Sequence, residues 1–454
     1  MDLLTKAIKG TADVLPKDSG SLRFVESTLA DIAGTYGFHE MRTPVFEHTE
    51  LFSRGVGDST DVVQKEMYTF NDKGGRSLTL RPEGTAGAMR AFLEHGLFNE
   101  PMPLKIFYQT SCYRYEKPQA GRLREFHQFG AECFGTAEPS ADAELIDMCS
   151  EIFSFFGLTD KLELRINSIG CPDCRAEYSA ALKEYFTAHT DMLCDTCKGR
   201  LQRNPMRILD CKDPQCAQVA KDAPVILDYL CDDCRAHFDS VKQYLDVMGI
   251  KYVIDPRIVR GLDYYTRTVF EFVSSEIGAQ GTVCGGGRYD GLAQELGGPQ
   301  VPALGFAMGM ERFMLMLELA KTELPEDNSP DIYIVSAGKE ANLKAAETVK
   351  KMREEGITAG FDISGRSVKA QMKYADKSGA QFTAVIGSDE MSSGKINVKR
   401  MDTGDVTEME LETLPDEFED LAVSLMTKDL ADEYGADLAD VDLRAALDKF
   451  GGKF

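Results

Sequence analysis

The residues best suited to chemistry in this chain lie between Tyr113 and Glu132, where four cations flank a Pro-Gln-Ala-Gly turn. The cations are Arg114, Lys117, Arg122 and Arg124. Charged and aromatic residues alternate on both sides of the turn, which predicts a β-hairpin with one face over a polar pocket. An arginine fork binds phosphate or carboxylate through two hydrogen bonds and keeps its charge. The run therefore indicates an anion-binding hairpin, and a solvated charged hairpin is the alternative when the run is taken alone.

Four further runs place polar residues where they could act together with this hairpin. They are SLTLRPEGT (77–85), RGLDYYTRTVFE (260–271), CGGGRYDGL (284–292) and ALGFAMGMER (303–312). The first delivers Glu83 to the end of a predicted strand, where its carboxylate suits an ammonium group. The second puts Arg260 beside the pair Tyr264 and Tyr265, and the last ends at Arg312, where a helix is predicted to begin. A common turn and ordinary tyrosine packing are the structural alternatives for the first two runs.

Motifs of several other kinds of site are missing from the sequence. GxxxxGK[ST] is absent, and no GxGxxG opens a βαβ unit. HExxH, GxSxG and EF-hand runs are absent as well. The six histidines include no pair at metal-ligand spacing. We therefore expect neither a phosphate loop, a Rossmann dinucleotide site, a catalytic serine nor a histidine-bound metal.

Length and composition are typical of a globular protein with several domains. With 454 residues, 43% hydrophobic and 28% charged, the chain is expected to form two to four domains. Its net charge of −23 argues against a general nucleic-acid binder, but residues 105–128 hold five Lys/Arg against two Asp/Glu, so a local basic patch is possible. The sequence contains no apolar run of about 18 residues and no secretory signal, so we expect a cytoplasmic protein without a membrane span.

Eight of the twelve cysteines fall in one segment and form four close pairs. They are Cys171, Cys174, Cys194, Cys197, Cys211, Cys216, Cys231 and Cys234. This spacing suits tetrahedral Zn²⁺, and eight thiolates are enough for two structural Cys₄ sites. Spacing alone leaves open which pairs would share a metal. A set of free cysteines in a helical insertion is the alternative.

Changes of composition and pattern divide the chain into predicted domains. Residues 1–325 mix strands, helices and glycine loops, and they contain the cysteine-rich insertion at about 171–240. The polar run TELPEDNSP (322–330) has two prolines and is typical of a linker. Residues 330–414 alternate between strand and helix patterns, which predicts a compact α/β domain. Residues 415–454 form an acidic C-terminal tail.

Taken together, these runs resemble the histidyl-tRNA synthetase family of bacterial type, within the class II aminoacyl-tRNA synthetases. The resemblance extends from Gly10 to about Leu414. The runs similar to motifs 1, 2 and 3 of this class are residues 42–70, 107–132 and 305–312. RGLDYYTRTVFE and GGGRYDGL are similar to the histidine-specific elements of the family.

The resemblance implies a fold, an activity and partners. The fold is an α+β catalytic domain, in which helices flank an antiparallel sheet, with a helical Cys-rich insertion and a C-terminal α/β anticodon-binding domain. The activity is ATP-dependent ligation of histidine to histidine tRNA through a histidyl-adenylate, with Mg²⁺ as the metal of the reaction. A homodimer is implied, with Pro44 at its interface. The alternative is a non-charging regulatory paralogue that acts with ATP phosphoribosyltransferase in histidine biosynthesis.

The resemblance also implies roles for individual residues. Those expected at histidine are Glu83, Thr85, Gln128, Glu132, Tyr264, Tyr265 and Tyr289. Those expected at ATP are Arg114, Glu116 and Arg312, and the expected catalytic set is Arg260, Arg114 and Arg312. Those expected at the tRNA acceptor end are Lys117, Gln119, Arg122 and Arg124. Lys117 and Leu123 depart from the family pattern, which usually has arginine and an aromatic residue at these positions.

Overall fold

The structure is a computed structural model in which two compact units divide between Pro325 and Glu326. It describes residues 4–56, 60, 62–211, 213–258, 264–277, 281–325 and 329–434. Across these ranges, no helix has both the length and the apolar character that crossing a bilayer requires. Arg260, a predicted catalytic residue, and residues 435–454 of the predicted acidic tail lie outside the described residues.

The first unit contains strands and helices in alternation. Its strands are β1 His39–Glu40, β2 Phe46–His48, β3 Thr69–Asn71, β4 Ser77–Leu80, β5 Leu104–Tyr113, β6 Glu125–Phe134, β7 Glu163–Ser168, β8 Val253–Ile254, β9 Thr266–Val273, β10 Thr282–Arg288 and β11 Ala303–Gly309. Its α-helices are α1 Pro16–Thr35, α2 Thr49–Val56, α3 Thr85–Glu94, α4 Pro139–Phe155, α5 Pro172–Ala188, α6 Asp195–Arg203, α7 Pro214–Ala220, α8 Asp232–Val247, α9 Leu292–Glu295 and α10 Met310–Ala320. A π-helical segment spans Val62–Glu66.

The main sheet of this unit has the strand order β1-β5-β6-β11-β10-β9-β7-β8. The pairs β1–β5 and β7–β8 at its edges are parallel, and the pairs between them are antiparallel. The hairpin predicted around the arginine-rich turn is confirmed, because β5 and β6 pair from Leu104↔Phe134 to Tyr113↔Glu125. A small antiparallel sheet, β2-β4-β3, carries the run before Glu83.

Helices α1, α4 and α10 cover one face of the main sheet, and α3 and α9 pack on part of the other face beside a pocket. Apolar residues of α1, α4 and α10 pack on the first of these faces, where Phe129, Phe153, Phe306 and Phe313 are buried. The spacing of apolar residues in α1 follows the 3.6-residue period, so one stripe of the helix is buried. The predicted antiparallel sheet with flanking helices is therefore confirmed, and its parallel edge strands are an addition.

The cysteine-rich segment forms a separate helical cluster between β7 and β8. Helices α5 to α8 surround a small core that contains Tyr178, Leu182 and Phe186. Four buried cysteines belong to the same core, one from each of the close pairs. This core is far smaller than that of the sheet, and a core of such size supplies little stability by itself.

The second unit is an α/β domain with its own core. Its elements are β12 Ile332–Ser336, α11 Lys339–Glu354, β13 Ala359–Phe361, α12 Val368–Lys377, β14 Phe382–Ile386, α13 Ser388–Ser393, β15 Lys395–Arg400, β16 Val406–Glu410 and α14 Leu414–Tyr434. The sheet order is β13-β12-β14-β15-β16, with the first three strands parallel. Leu414 and Phe418 of α14 are buried in this core, so the packed domain extends past residue 414, where the sequence analysis ends it.

One buried ion pair joins the main sheet to the helices behind it. Arg288, at the end of β10, is fully buried, and its Nη2 lies 2.6 Å from the Asp142 carboxylate of α4. The same guanidinium donates to the carbonyls of Thr136 and Glu138, at 2.9 and 2.8 Å. Burial raises the pKa of the Asp142 carboxyl, but the nearby Arg288 and His237 together outweigh it, so the net pKa is lowered. Each of the two buried charges is therefore compensated only while the other is present.

We predict that Arg288→Met destabilises the first unit by about 3 kcal/mol or more, because Asp142 is left buried without its partner. Hydrogen exchange measured peptide by peptide should show faster exchange across β9, β10 and β11 and unchanged exchange in β12 and β14. The matched control is Arg165→Met, which removes a partly exposed ion pair to Glu163 and should cost under about 1 kcal/mol. Equal effects of the two substitutions would contradict the importance assigned to the buried pair.

Candidate active site

A cavity of about 520 Å³ opens beside α3 and α9, on the face of the main sheet opposite α1, α4 and α10. Its lining includes most of the residues singled out in the sequence: Glu83, Thr85, Arg114, Glu116, Arg122, Gln128, Tyr264, Tyr265, Tyr289 and Arg312. Glu132 lies directly behind the lining, where it bonds to Thr85 and Tyr289. Lys117, Gln119 and Arg124 are not part of the lining. The structure thus brings five separate runs of the chain to one pocket.

Glu83 and Thr85 sit where β4 gives way to α3. The Glu83 carboxylate accepts the amide hydrogens of Thr85 and Ala86 at 2.7 and 2.9 Å, which satisfies donors at the start of the helix. Glu83 is buried, and burial raises its pKa, while these amides and the Arg114 charge act in the opposite direction. A buried carboxylate of this kind attracts an ammonium group that enters the pocket.

Glu132 is the centre of a buried hydrogen-bond network. Its carboxylate accepts hydrogen bonds from Thr85 Oγ1 at 2.7 Å, from the Tyr108 hydroxyl at 3.0 Å and from the Tyr289 hydroxyl. Burial raises the pKa of Glu132 to about 8, although these three donors favour the charged form. Gln128, on the same strand, accepts the Gly84 amide at 3.2 Å through its Oε1.

Three tyrosines form an aromatic wall beside this carboxylate. The ring centroids of Tyr264 and Tyr265 are 4.8 Å apart, and that of Tyr289 lies 5.4 Å from Tyr264 and 6.4 Å from Tyr265. All three rings are buried. Flat rings next to a hydrogen-bonded carboxylate suit a small planar polar group, because the rings enclose its faces and the polar groups bind its edge.

Glycines make room for this network. Gly84 and Gly130 contact the Tyr108 ring, and a Cβ at either position would overlap that ring. A Cβ at Gly305 of β11 would overlap the Glu132 carboxylate. Close approach, rather than backbone conformation, therefore requires glycine at these positions.

The opposite end of the pocket is cationic. Arg312, at the start of α10, donates to the Thr282 carbonyl at 2.6 Å, and Arg114 donates to the Pro82 carbonyl at 2.8 Å. Arg122 forms an ion pair with Glu116 at 2.8 Å. Burial and the nearby charges of Arg122 and Arg114 lower the pKa of Arg312. Several partly desolvated cations in one place favour a polyanionic ligand such as a triphosphate.

The turn between β5 and β6 contributes Arg114, Glu116 and Arg122 to this cationic end, while Lys117 and Gln119 at its tip do not line the pocket. Gln119 and Arg122 exchange backbone hydrogen bonds across it, and Gly121 adopts a φ of +67°. The Gly10 carbonyl accepts the Arg124 amide at 2.6 Å, so the N-terminal segment holds the base of the turn. Lys117 and Gln119 are exposed, which leaves them available to a large ligand.

Sequence reasoning missed Tyr108 and did not explain Arg81. Tyr108 pairs across the sheet with Gly130, and such a large residue opposite glycine is a signal that could have found it. The Arg81 guanidinium donates to the carbonyls of Ser111, Thr43 and Pro44, at 2.6, 2.8 and 3.1 Å. Arg81 therefore joins three chain segments and does not line the pocket.

The eight paired cysteines are brought into two groups of four. Cys171 and Cys174 join Cys231 and Cys234, and the other group is Cys194, Cys197, Cys211 and Cys216. Within each group the sulfur atoms all lie within 4.8 Å of one another. Each group could hold one metal ion, and neither lines the pocket.

We predict that Glu132→Gln changes how stability depends on pH. Because burial raises the pKa of Glu132 from 4.5 to about 8, the unfolded chain loses this proton at lower pH than the folded chain. The contribution of Glu132 to stability is therefore complete below pH 4.5 and is lost as the pH rises towards about 8. The free energy of unfolding, measured with urea by far-UV circular dichroism, should fall by at least about 1 kcal/mol more in the wild type than in E132Q over this interval. Glu177→Gln, at an exposed site, is the control and should follow the wild type.

Comparisons with known proteins agree with this geometry. The family model "Histidyl-tRNA synthetase" matches residues 10–176 and 215–313, and the model "Anticodon binding domain" matches residues 331–421. A histidine–tRNA ligase of Caldanaerobacter subterraneus subsp. tengcongensis is 56% identical, over 90% of this chain and 97% of its own. That of Clostridioides difficile is 53% identical, over 91% and 99%.

A solved structure agrees as well. Apo histidyl-tRNA synthetase of S. aureus superposes with a TM-score of 0.78 at 42% identity and covers 91% of this chain and 100% of its own. The predicted fold class is confirmed, both for the class II catalytic domain and for the anticodon-binding domain that follows it. This chain belongs to the histidyl-tRNA synthetase family of class II aminoacyl-tRNA synthetases.

Proposed function

We propose that this chain ligates histidine to histidine tRNA in two steps at the pocket of the first unit. The histidine carboxylate attacks the α-phosphorus of ATP, pyrophosphate leaves, and a histidyl-adenylate forms. A ribose hydroxyl at the 3′ end of the tRNA then attacks the acyl carbon, and AMP leaves. The observation that carries the proposal is the division of one cavity into an aromatic, carboxylate-lined end and an arginine-rich end.

Histidine occupies the aromatic end in this proposal. Its α-ammonium group lies towards Glu83, with Thr85 and Gln128 beside it. Its imidazole ring lies against Tyr264, Tyr265 and Tyr289. Glu132 orients the substrate, and its hydrogen bonds to Thr85 and Tyr289 support both halves of the binding site. Burial of these groups supports the assignment, because a hydrogen-bonding pocket that excludes water discriminates strongly against side chains that leave its groups unpaired.

ATP occupies the arginine-rich end. Arg114 holds the α-phosphate, Arg312 holds the outer phosphates, and Glu116 lies beside the nucleotide. Arg260, outside the described residues, supplies a further cation at the reacting phosphorus. Class II synthetases use Mg²⁺, which when bound neutralises charge on the phosphate oxygens. Fixed cations lower the barrier because negative charge gathers on those oxygens in the transition state.

The tRNA meets two parts of the chain. The turn between β5 and β6 contacts the acceptor end through Lys117, Gln119, Arg122 and Arg124. The second unit binds the anticodon arm, which the match of residues 331–421 to an anticodon-binding domain supports. Single-stranded RNA ends are recognised by splayed bases and backbone contacts, which suits a projecting turn with exposed polar side chains.

The proposed assembly is a homodimer that acts in the cytoplasm. Val45 and Phe46, next to Pro44, are 41% and 52% exposed, and Phe70 on the same small sheet is 45% exposed. A second copy of the chain would cover these apolar residues.

The regulatory paralogue is less well supported than the enzyme. A subunit that only binds needs no anticodon-binding domain, yet residues 331–421 match one. Each predicted catalytic residue within the described ranges is an arginine that lines the pocket. The two ligases named above are similar to this chain over nearly their whole length.

Structural Zn²⁺ is the second metal in the proposal, bound by the two groups of four cysteines. Thiolate sulfur is a preferred zinc ligand, and a site closed by four thiolates has no position for a substrate. Zinc bound in this way therefore takes no direct part in the reaction.

We predict that the purified protein catalyses ATP–pyrophosphate exchange that depends on histidine, and that it then charges histidine tRNA. Exchange measures adenylate formation alone, and charging measures both steps. Exchange with another amino acid, or no exchange, would overturn the assignment. Exchange without charging would favour a nucleotide-binding regulator.

We predict that Arg114→Gln lowers the rate of histidine-dependent exchange about 10²–10³-fold, because a fixed charge at the α-phosphate is lost. Arg260→Ala should behave in the same way, with a much smaller effect on histidine affinity. Lys117→Gln is the matched control on the same hairpin. It should leave exchange unchanged and raise the KM for tRNA in charging, so a loss of exchange in this variant would refute the separation of roles.

A further inference from the structure

The two cysteine groups are nested along the chain. The group that we name the outer group joins the first and last close pairs, Cys171, Cys174, Cys231 and Cys234. The group that we name the inner group joins the two middle pairs, Cys194, Cys197, Cys211 and Cys216. The outer group therefore connects the point where the chain enters the insertion with the point where it leaves.

The geometry of the outer group suits a tetrahedral metal. Four sulfurs at about 2.3 Å from one zinc ion lie about 3.8 Å apart. The sulfurs of Cys171 and Cys174 are 3.5 Å apart, and all four lie within 4.8 Å. The Cys231 amide also donates to the Cys174 sulfur at 3.1 Å, a contact that favours a thiolate. Small movements of the side chains bring these atoms to the bonding geometry.

Two helices start at this group. Cys171 is the residue before α5, with Cys174 in its first turn, and Cys231 and Cys234 stand in the same positions at α8. A metal bound by these four thiolates therefore clamps the N-terminal ends of α5 and α8 together.

Both helices contact the chain segment that carries the aromatic wall. Arg175, directly after Cys174, donates from Nη1 to the Tyr265 carbonyl at 3.1 Å. His237, one turn after Cys234, lies with its Nδ1 3.3 Å from Nη1 of Arg267. Tyr265 immediately follows Tyr264, and Arg267 lies two residues after Tyr265. Residues 265–267 are thus held by both helices that start at the outer group, by α5 through Arg175 and by α8 through His237.

The backbone before the outer group is tied to the same segment. Ile169 donates its amide to the Arg267 carbonyl at 2.8 Å, and Arg267 donates its own to the Gly170 carbonyl at 2.9 Å. Gly170 has a φ of +67°, and a Cβ there would overlap that of Cys174. Arg267 adopts the left-handed region with a φ of 49°, which costs a non-glycine residue free energy unless its surroundings impose it.

We propose that Zn²⁺ at the outer group positions Tyr264 and Tyr265 in the histidine pocket. The ion fixes α5 against α8, and Arg175 and His237 transmit that arrangement to residues 265–267. Zn²⁺ at the inner group instead stabilises the small core of the insertion. The proposal rests on the proposed function in one respect, since it takes histidine to be the ligand of the aromatic wall.

Metal content tests the two sites. Protein purified without chelators should contain two zinc ions per chain by plasma emission spectrometry, and Cys234→Ser and Cys197→Ser should each contain one. Growth with Co²⁺ should give the intense sulfur-to-metal charge-transfer absorption of thiolate-bound cobalt. Wild-type protein without metal, or with disulfides in place of free thiols, would overturn both sites.

Arg175→Gln tests the positioning role in a protein that keeps its metal. We expect the KM for histidine in pyrophosphate exchange to rise at least about tenfold, since a charged hydrogen bond that holds the wall is lost. The KM for ATP should stay unchanged. The kcat should change far less than the KM for histidine, because the substitution weakens histidine binding and not the chemical step. Arg235→Gln is the matched control, because Arg235 directly follows Cys234 as Arg175 follows Cys174, yet it donates to Leu227 and Leu230 carbonyls within the insertion.

The double variant that combines Arg175→Gln with Cys234→Ser distinguishes an effect of the metal that acts through Arg175 from general damage to the fold. If both changes act through the same contact, the double variant should raise the KM for histidine no more than the larger single effect. Independent, multiplying effects, or an unchanged KM in Arg175→Gln, would refute the positioning role while the zinc sites stand. Absence of histidine-dependent exchange in the wild type would instead refute the proposed function.

Discussion

The pocket depends on keeping the carboxylate of Glu132 buried in the middle of the main sheet. A buried carboxylate is costly unless donors surround it, and Thr85, Tyr108 and Tyr289 supply them. These donors come from α3, β5 and the end of β10, so the sheet must form before the network is complete. Two of these donors, Tyr108 and Tyr289, are hydroxyls on large rings. The neighbouring glycines that make room for the Tyr108 ring and the buried carboxyl group are Gly84, Gly130 and Gly305.

The same sheet separates two kinds of electrostatic environment. Carboxylates and phenols gather around Glu132 of β6, from residues that follow β4 and β10, and arginines gather near the turn after β5 and the start of α10. This separation reconciles a net charge of −23 with binding of polyanions, because only the local charge acts on a ligand held within a few ångströms. This arrangement disfavours the charged form of Arg312, because burial and the nearby charges of Arg122 and Arg114 lower its pKa. A bound phosphate relieves that repulsion.

Much of this could be predicted from the sequence, because the informative residues are contiguous. The hairpin around Arg114 follows from alternation on both sides of a turn, and the α/β pattern of the second unit follows from changes of periodicity. Tyr108 was missed because nothing local distinguishes it, and its role arises from Gly130 across the ladder and Gly84 from another segment. The grouping of the cysteines was open for the same reason. Four close pairs permit several groupings, and only the fold, which brings the starts of α5 and α8 together, selects the nested one.

Recognition of a small amino acid requires a wall that is already in position when the ligand arrives. Tyr264 and Tyr265 precede a strand, but a strand orders only the residues that belong to its ladder, and the pair stands just outside β9. Contacts from elsewhere must therefore immobilise it. Tyr289 packs on one side, and Arg175 of the insertion reaches the backbone on the other. Because a pocket that must order itself on binding loses part of its binding free energy, an insertion that orders this wall in advance contributes to affinity without touching the substrate.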